Sequence, residues 1–198
     1  MKAWILASFF ALSSISVNSG INEPRFHPVQ HKIERLNLQS KTLDTYSLNT
    51  SQYFNKEESD SISNLCNILN IKEEYLYKVM FKECSFNHQA INKKSKAVGL
   101  IGFLPSTASY LGTTTEEIYN MTKLQQLQYV YKYLQPICKK YKLSTYKDVY
   151  LAIFYPRALG KQDDYVLGKN KSKTVLWNSP FDTNNDGTIT VGEFKQKI

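Results

Sequence analysis

The sequence has few cysteines, three in 198 residues, and it lacks the regular alternation of apolar and polar residues that is typical of β-strands. Cys66, Cys84 and Cys138 have no C-x-x-C spacing, which argues against a structural zinc site. An odd number allows at most one internal disulfide, so disulfides do not specify the fold. Apolar residues instead recur at steps of three and four. This spacing predicts an all-α protein.

Long apolar runs are also scarce, and the one clear example lies at the start of the sequence. Residues 3–17 are apolar after a positive Met1-Lys2, and Val17-Asn18-Ser19 resembles a small-x-small cleavage site. The run is short and Ser-rich for a bilayer span. We expect residues 1–19 to be a signal peptide, with an uncleaved membrane anchor as the alternative. The mature chain is then expected to be exported, periplasmic or extracellular, without stable membrane insertion.

The net charge of +8 suits an anionic polymer as the partner. The basic residues are scattered and no nucleic-acid-binding motif accompanies them, so we expect no nucleic acid. Export favours cell-wall material, whose stem peptides carry carboxylates.

Composition divides the remaining chain into three parts. Residues 20–58 are polar without a sustained period, which is typical of a linker. Helical spacing begins at residue 59 and continues to about residue 168, and Thr114-x-x-Glu117 and Thr122-x-x-Gln125 within it are typical of capping boxes. Residues 169–198 form a separate polar tail.

Glu83 lies on the apolar face of a helix predicted over residues 72–84. It follows Val79 by four residues, so it shares the face that carries Leu76 and Met80. Apolar neighbours and the negative end of the helix dipole both disfavour a charged carboxylate. A carboxyl group that keeps its proton suits general acid catalysis. A solvated glutamate at a frayed helix end is the alternative.

Three motifs follow one another along the chain. Glu83 ends its helix, then comes Ser95-x-Ala97-x-Gly99-Leu100-Ile101-x-Phe103-x-Pro105-x-Thr107-Ala108, and Leu151-Ala152-Ile153-Phe154-Tyr155 lies further on. Together they resemble the catalytic Glu, the Gly-Leu segment and the closing helix of lytic transglycosylases with a lysozyme-like fold. The likeness covers about residues 59–168 and is greatest with phage-type and secreted members.

The resemblance implies a lysozyme-like helical domain that acts on peptidoglycan glycan strands. It implies cleavage of the bond between N-acetylmuramic acid and N-acetylglucosamine, with Glu83 as general acid and base and a 1,6-anhydro product. We expect a monomer without an organic cofactor. The implied substrate-binding residues are Ser95, Gly99, Leu100, Phe103 and Tyr155.

The chain departs from the family pattern at three positions. Cys84 replaces the usual Ser, Gly102 replaces a Gln of the Gly-Leu segment, and Pro156 replaces an Asn. A catalytically inactive, calcium-stabilised peptidoglycan-binding protein is therefore one alternative. A lysozyme-type hydrolase of the same bond is the other, provided that a second carboxylate reaches the substrate. The candidates for that carboxylate are Asp148, Asp163 and Asp164.

The tail contains a twelve-residue run that fits an EF-hand calcium loop. Oxygen-bearing side chains occupy positions 1, 3 and 5, Gly187 allows the sharp turn at position 6, and a glutamate stands at position 12. We expect one such loop to hold the tail against the helical domain rather than to act as a sensor. The predicted Ca²⁺ ligands are Asp182, Asn184, Asp186, the carbonyl of Thr188, and Glu193.

Overall fold

Side-chain caps set the first residue of most helices in the computed structural model, which describes residues 49–170 and 172–198. Five helices begin with a capping box, in which the cap side chain and a side chain three residues later each accept a hydrogen bond from the other's backbone N–H. The boxes satisfy amides that the first helical turn leaves without partners. The boxes predicted at Thr114 and Thr122 are confirmed.

The described part of the chain is mainly helical, in agreement with the predicted all-α class. No helix within it is long and apolar enough to cross a membrane. The predicted signal peptide and residues 20–48 of the predicted linker lie outside the described residues. The helices are α1 (Lys56–Leu69), α2 (Glu73–Cys84), α3 (Pro105–Tyr110), α4 (Thr115–Asn120), α5 (Lys123–Lys140), α6 (Tyr146–Phe154), α7 (Lys173–Trp177) and α8 (Val191–Lys197). Short 3₁₀ turns occupy Thr50–Gln52, Pro156–Ala158 and Ser179–Phe181.

The hydrophobic core forms where the longer helices pack in pairs. Helix α1 packs against α5, and α2 packs against α6. Each helix contributes apolar side chains with three- and four-residue spacing, such as Leu76, Val79 and Met80 of α2, all fully buried. Each such side chain stabilises the fold by about 1.5–3 kcal/mol relative to an exposed one. The pairing of α2 with α6 brings the helix that carries Glu83 against the helix that precedes Tyr155.

The C-terminal tail packs onto α6 through an aromatic cluster. Phe194 of α8 contacts Phe154 and Tyr150 of α6, with ring centroids 4.9 and 5.3 Å apart. Phe181 contacts Phe154 at 5.3 Å, and the four rings are at most 2% exposed. Residues Thr50–Ile198 consequently lie in one compact unit. The division into a domain over 59–168 and a tail over 169–198 stays a prediction.

Two short strands join the tail to the segment after α6. Strand β1 (Val166–Gly168) pairs in antiparallel fashion with β2 (Ile189–Thr190). The sequence predicted no strands, because segments of three and two residues are too short to show alternation.

Replacing Phe194 with Ala is expected to lower the free energy of unfolding by about 3–5 kcal/mol, because it removes a fully buried ring from the aromatic cluster. Leu176→Ala is the control, since Leu176 also lies in the tail but is 60% exposed. Its effect should stay within about 0.5 kcal/mol. Urea unfolding followed by circular dichroism measures both changes. Equally small losses in the two variants would contradict the packing of the tail on α6.

Candidate functional site

Glu83 is a buried carboxylate at the C-terminal end of α2. Its side chain is 5% exposed and shares the buried face with Leu76, Val79 and Met80, as the helical spacing predicts. The helix ends one residue later, at Cys84, and the next residue, Ser85, adopts a left-handed φ of 50° and donates its N–H to the Phe81 carbonyl. Ionising a carboxyl group in such surroundings is energetically unfavourable unless polar groups stabilise the negative charge. The side chains that face Glu83 therefore decide what it can do.

Two tyrosines of α6 lie beside Glu83. Burial raises the pKa of Tyr150 well above its usual value. The charge of the nearby Glu83 carboxylate raises this pKa further, as does Tyr146. Burial and the charge of Glu83 also raise the pKa of Tyr146. Both phenols thus stay protonated. The Tyr150 hydroxyl is buried without a hydrogen-bond partner among the described residues, so its proton is available to the nearby carboxylate.

Tyr146 and Tyr150 were not predicted from the sequence to lie at the site. The two residues lie four positions apart on one helix, and their rings stack with centroids 5.9 Å apart. That spacing was visible in the sequence, but an aromatic pair on a helix usually belongs to the core. Only the pairing of α6 with α2 brings the hydroxyls to Glu83.

Tyr155, the predicted substrate-binding tyrosine, lies in a different environment from Tyr150. Its side chain is half-buried just beyond the end of α6. Burial raises the pKa of Tyr155, Tyr165 raises it further, and Arg157 lowers it. The structure thus groups Tyr155 with Tyr165 and Arg157. Its proposed contact with a sugar stays a prediction.

Cys84 connects the end of α2 to the Gly-Leu segment. Its thiol donates to the carbonyls of Met80 and Leu100, with Sγ–O distances of 3.2 and 3.5 Å. Burial raises the pKa of the Cys84 thiol to about 12, and the charge of Glu83 contributes to the rise. The thiol is therefore a neutral donor at physiological pH. Cys84 occupies the position of the family's usual Ser and still makes a polar contact with the neighbouring segment.

The Gly-Leu segment forms a tight reversal of the chain between Val98 and Phe103. Their backbones exchange two hydrogen bonds, with N–O distances of 3.0 and 2.7 Å. The side chains of Leu100 and Phe103 are at most 1% exposed, so they belong to the core. These values include the backbone, so both residues are shielded from solvent, and their expected contact with the substrate stays a prediction.

Ser95, also a predicted substrate-binding residue, makes local contacts in the loop before this segment. Its hydroxyl accepts a hydrogen bond from the Ala97 N–H, and its own N–H donates to the Asn92 side chain. The side chain is 7% exposed. In the structure Ser95 shapes the loop that leads into the Gly-Leu segment.

The three candidate second carboxylates have other partners or are exposed. Asp148 caps α6 by accepting hydrogen bonds from Ser144 and Thr145. Asp163 forms an ion pair with Lys195 of α8, at 2.8 Å. Asp164 is exposed. The structure therefore gives no support to a two-carboxylate hydrolase.

The candidate calcium loop has its oxygen atoms turned toward the backbone of the loop. The Asp182 carboxylate accepts from the N–H groups of Asp186 and Gly187, at 3.1 and 2.9 Å, and Asn184 Oδ1 accepts from the Asp186 N–H at 3.0 Å. Gly187 has a φ of 79°, and a Cβ at this position would collide with the Asn170 side chain. Asp182, Asn184 and Asp186 thus converge around a turn that requires glycine, which suits a hard cation.

Glu193 closes the loop from the first turn of α8. One carboxylate oxygen accepts from the N–H and hydroxyl of Thr183, and the other accepts from those of Thr190, at 2.9–3.2 Å. Burial raises the pKa of Glu193, but these hydrogen bonds outweigh it and lower the pKa overall. A cation would have to draw this carboxylate away from some of these partners. Over residues 49–170 and 172–198, no three His, Cys, Asp or Glu side chains are arranged to hold a metal by themselves, so Asn184 and the Thr188 carbonyl would have to complete the ligand set.

Helix α8 links the candidate calcium loop to the region around Glu83. Phe194 contacts Tyr150, whose hydroxyl faces Glu83. At the far end of α8, Lys197 is close enough to Lys82 to lower its pKa, in addition to the larger lowering by burial, while Glu83 opposes both. The helix that leaves the loop thus lies beside the end of α2.

Comparison with known proteins identifies a family for part of the helical region. Residues 61–154 match the family model described as the Transglycosylase SLT domain. This segment runs from α1 to the last residue of α6 and includes Glu83 and the Gly-Leu segment. No curated protein and no solved structure matches the chain. The match supports the resemblance to lytic transglycosylases, and thus to enzymes that act on peptidoglycan, for the helical part of the chain.

The burial of the cysteines predicts how they react with thiol reagents. Burial raises the pKa of Cys66 and of Cys84 to about 12, so about one thiol in ten thousand is ionised at pH 8. Cys138 is half-buried and should react first. With Ellman's reagent we expect at most one thiol to react promptly in the native protein and all three to react in guanidinium chloride. Prompt reaction of two or more native thiols would contradict the described packing around Cys66 and Cys84.

Proposed function

We propose that this chain is a lytic transglycosylase that cleaves peptidoglycan between N-acetylmuramic acid and N-acetylglucosamine, with Glu83 as the catalytic acid and base. The observation that carries the proposal is the position of Glu83, which is buried at the end of α2 beside the Tyr150 hydroxyl. The match to the Transglycosylase SLT domain over residues 61–154 supports the same assignment. The substrate lies outside the cytoplasm, so the proposal requires export, and residues 1–19 remain the predicted signal peptide.

The proposed mechanism uses one carboxyl group in two steps. Protonated Glu83 donates its proton to the glycosidic oxygen while the bond from that oxygen to C1 of N-acetylmuramic acid breaks. The N-acetylglucosamine fragment leaves with a 4-hydroxyl group. The Glu83 carboxylate then accepts the proton of the C6 hydroxyl of the muramic acid, whose oxygen bonds to C1 and closes the 1,6-anhydro ring. Glu83 ends protonated and ready for another cycle.

Tyr150 gives this mechanism physical support. Glu83 must be anionic between the two steps, although an apolar site disfavours a charged carboxylate. The Tyr150 hydroxyl can donate a hydrogen bond to the anionic form and lower its free energy. The transient carboxylate is thus stabilised without a second acidic residue. This agrees with the structure, in which Asp148 caps α6 and Asp163 pairs with Lys195.

Binding of the glycan must depend on fewer side chains than in the usual family pattern. Gly102 has no side chain where the family has Gln, and the side chains of Leu100 and Phe103 are in the core. We propose that Tyr155, the one half-buried residue among the predicted substrate-binding residues, contacts the sugars. The net charge of +8 favours association with the anionic stem peptides.

We also propose that the loop over residues 182–193 binds Ca²⁺ and holds α8 in place. Asp182, Asn184, Asp186 and Glu193 would supply side-chain oxygens, and Thr188 would supply its carbonyl. The ion would have a structural role, since it would neutralise the carboxylates that the turn brings together. The convergence of two side chains, Asp182 and Asn184, on the Asp186 and Gly187 amides supports this assignment.

The substitution Glu83→Gln tests the catalytic role. We expect muropeptide release from purified sacculi to fall at least a thousandfold while the circular dichroism spectrum is retained, because the amide keeps the shape but cannot donate and accept the proton. Glu74→Gln is the control: Glu74 lies on the same helix, but it is exposed and pairs with Lys78. Activity retained by Glu83→Gln would remove Glu83 from the mechanism.

Mass spectrometry of the released muropeptides distinguishes the alternatives. Anhydro ends from the wild-type protein would support the transglycosylase, and reducing ends would show a hydrolase instead. Binding to sacculi without any release would show a peptidoglycan-binding protein.

Calcium is expected to raise the melting temperature by about 5–10 °C when its concentration is a hundred times the Kd, which corresponds to about 2.7 kcal/mol of stabilisation for a chain of this size. A chelator should reverse the shift. Glu193→Gln should abolish it, whereas Asp163→Asn, which changes a carboxylate beside α8 but outside the loop, should retain it. A melting temperature that calcium and chelator leave unchanged would contradict the proposed site.

A further inference from the structure

Gln126 is a polar side chain buried in the apolar face of α5. It has no exposed surface, and Leu127, Val130 and Leu134 are the apolar residues buried with it along the same helix. A buried carboxamide destabilises a core unless its donors and acceptor have partners. The partners of Gln126 therefore show why this position is not apolar.

The Gln126 carboxamide joins three separate segments of backbone. Its oxygen accepts from the Leu100 N–H at 3.0 Å, and its nitrogen donates to the carbonyls of His88 and Ile118, both at 2.7 Å. Leu100 belongs to the Gly-Leu segment, His88 to the loop after Glu83, and Ile118 to α4. Both amide protons and the oxygen are in use, so the side chain has one orientation in the core.

The residue before Leu100 has to be glycine for this contact to form. Gly99 has a φ of 88°, and a Cβ there would lie 2.6 Å from the Gln126 side-chain oxygen. Any other residue would push the carboxamide away from the Leu100 N–H. Glycine is thus required at position 99 for two reasons: it allows the positive φ, and it leaves room for the Gln126 carboxamide.

The Leu100 residue is held on its two sides. Gln126 accepts from its N–H, and the Cys84 thiol donates to its carbonyl at 3.5 Å. Cys84 is covalently next to Glu83. A short path therefore runs from α5 through Gln126 and Leu100 to the residue that follows the proposed acid.

We propose that Gln126 is a positioning residue that fixes the Leu100 backbone, and with it the Gly-Leu segment, relative to Glu83. The inference deepens the proposed function, and its catalytic part rests on it. A carboxamide is required because it accepts one hydrogen bond and donates two. Glutamate would have no proton for the His88 and Ile118 carbonyls, and an apolar residue would leave the Leu100 N–H without its acceptor.

The test compares Gln126→Met with Val130→Ala. Both substitutions change a fully buried residue of α5. Because valine makes no side-chain hydrogen bond, Val130→Ala controls for a loss of stability that is not accompanied by the loss of hydrogen bonds. The measurements are amide hydrogen exchange by NMR and turnover of soluble peptidoglycan strands. The Phe103 N–H, which donates to the Val98 carbonyl, is the internal reference for exchange.

We expect Gln126→Met to fold and to exchange the Leu100 amide proton much faster, relative to Phe103, than wild type does. Its kcat should fall about 10–100-fold with KM changed by less than about threefold, because the segment that faces the acid is displaced rather than lost. Val130→Ala should keep both the relative exchange rate and kcat. Equal behaviour of the two variants would overturn the proposal and show a purely structural role.

Two further outcomes are decisive. If Gln126→Met does not fold, amide hydrogen exchange is measured in the wild-type protein instead. A Leu100 amide that exchanges as fast as an exposed amide overturns the proposal. A Leu100 amide that is protected from exchange supports it. If the wild-type protein has no activity on peptidoglycan, the proposed function fails. The relative exchange of Leu100 in the two variants then still tests whether Gln126 fixes this backbone.

Discussion

A carboxyl group between packed helices needs either a proton or a hydrogen-bond donor, and this requirement governs the region around Glu83. Glu83 lies on the buried face of helix α2, and the phenol of Tyr150 on α6 lies close to it. Desolvation favours the acid form, while the phenol can stabilise the anion. A group that exchanges one proton within a catalytic cycle needs both conditions, so the packing of α2 on α6 is the basis of the proposed chemistry.

The segments around this helix pair fix the position of the carboxyl group from two directions. Cys84 and Gln126 hold the Gly-Leu segment on one side. The aromatic cluster of the tail packs against α6 on the other, and Phe194 touches the ring whose hydroxyl faces Glu83. The departure from Ser to Cys at position 84 leaves a polar contact in place. Gly102 has no side chain that could take over the role of the family's Gln, so this departure bears on sugar binding more than on the acid.

Features set by local spacing could be predicted from the sequence, and features set by contacts between distant segments could not. Helical periodicity located Glu83 on a buried face, and cap residues located the starts of α4 and α5. Tyr150 and Gln126 were missed, because an aromatic residue on a helix indicates core and a glutamine indicates surface unless the facing segment is known. The family resemblance implied that Leu100 and Phe103 contact the substrate, whereas their side chains fill the core. The EF-hand-like pattern could be read from the sequence because the predicted ligands follow one local turn, but the packing of α8 against α6 depends on the distant Phe154.

The aromatic cluster also shows that the segment matching the family model is shorter than the segment that must be present for folding. The similarity to the Transglycosylase SLT domain stops at Phe154, yet the ring of Phe154 stacks on Phe194 near the C-terminus. A chain shortened to the recognisable segment would expose this ring and that of Tyr150 to water. The unit that could be exchanged between proteins, by recombination or by design, therefore extends past the motif boundary and includes the tail. Substitutions in α6 and α8 are accordingly expected to be accepted in pairs rather than one at a time.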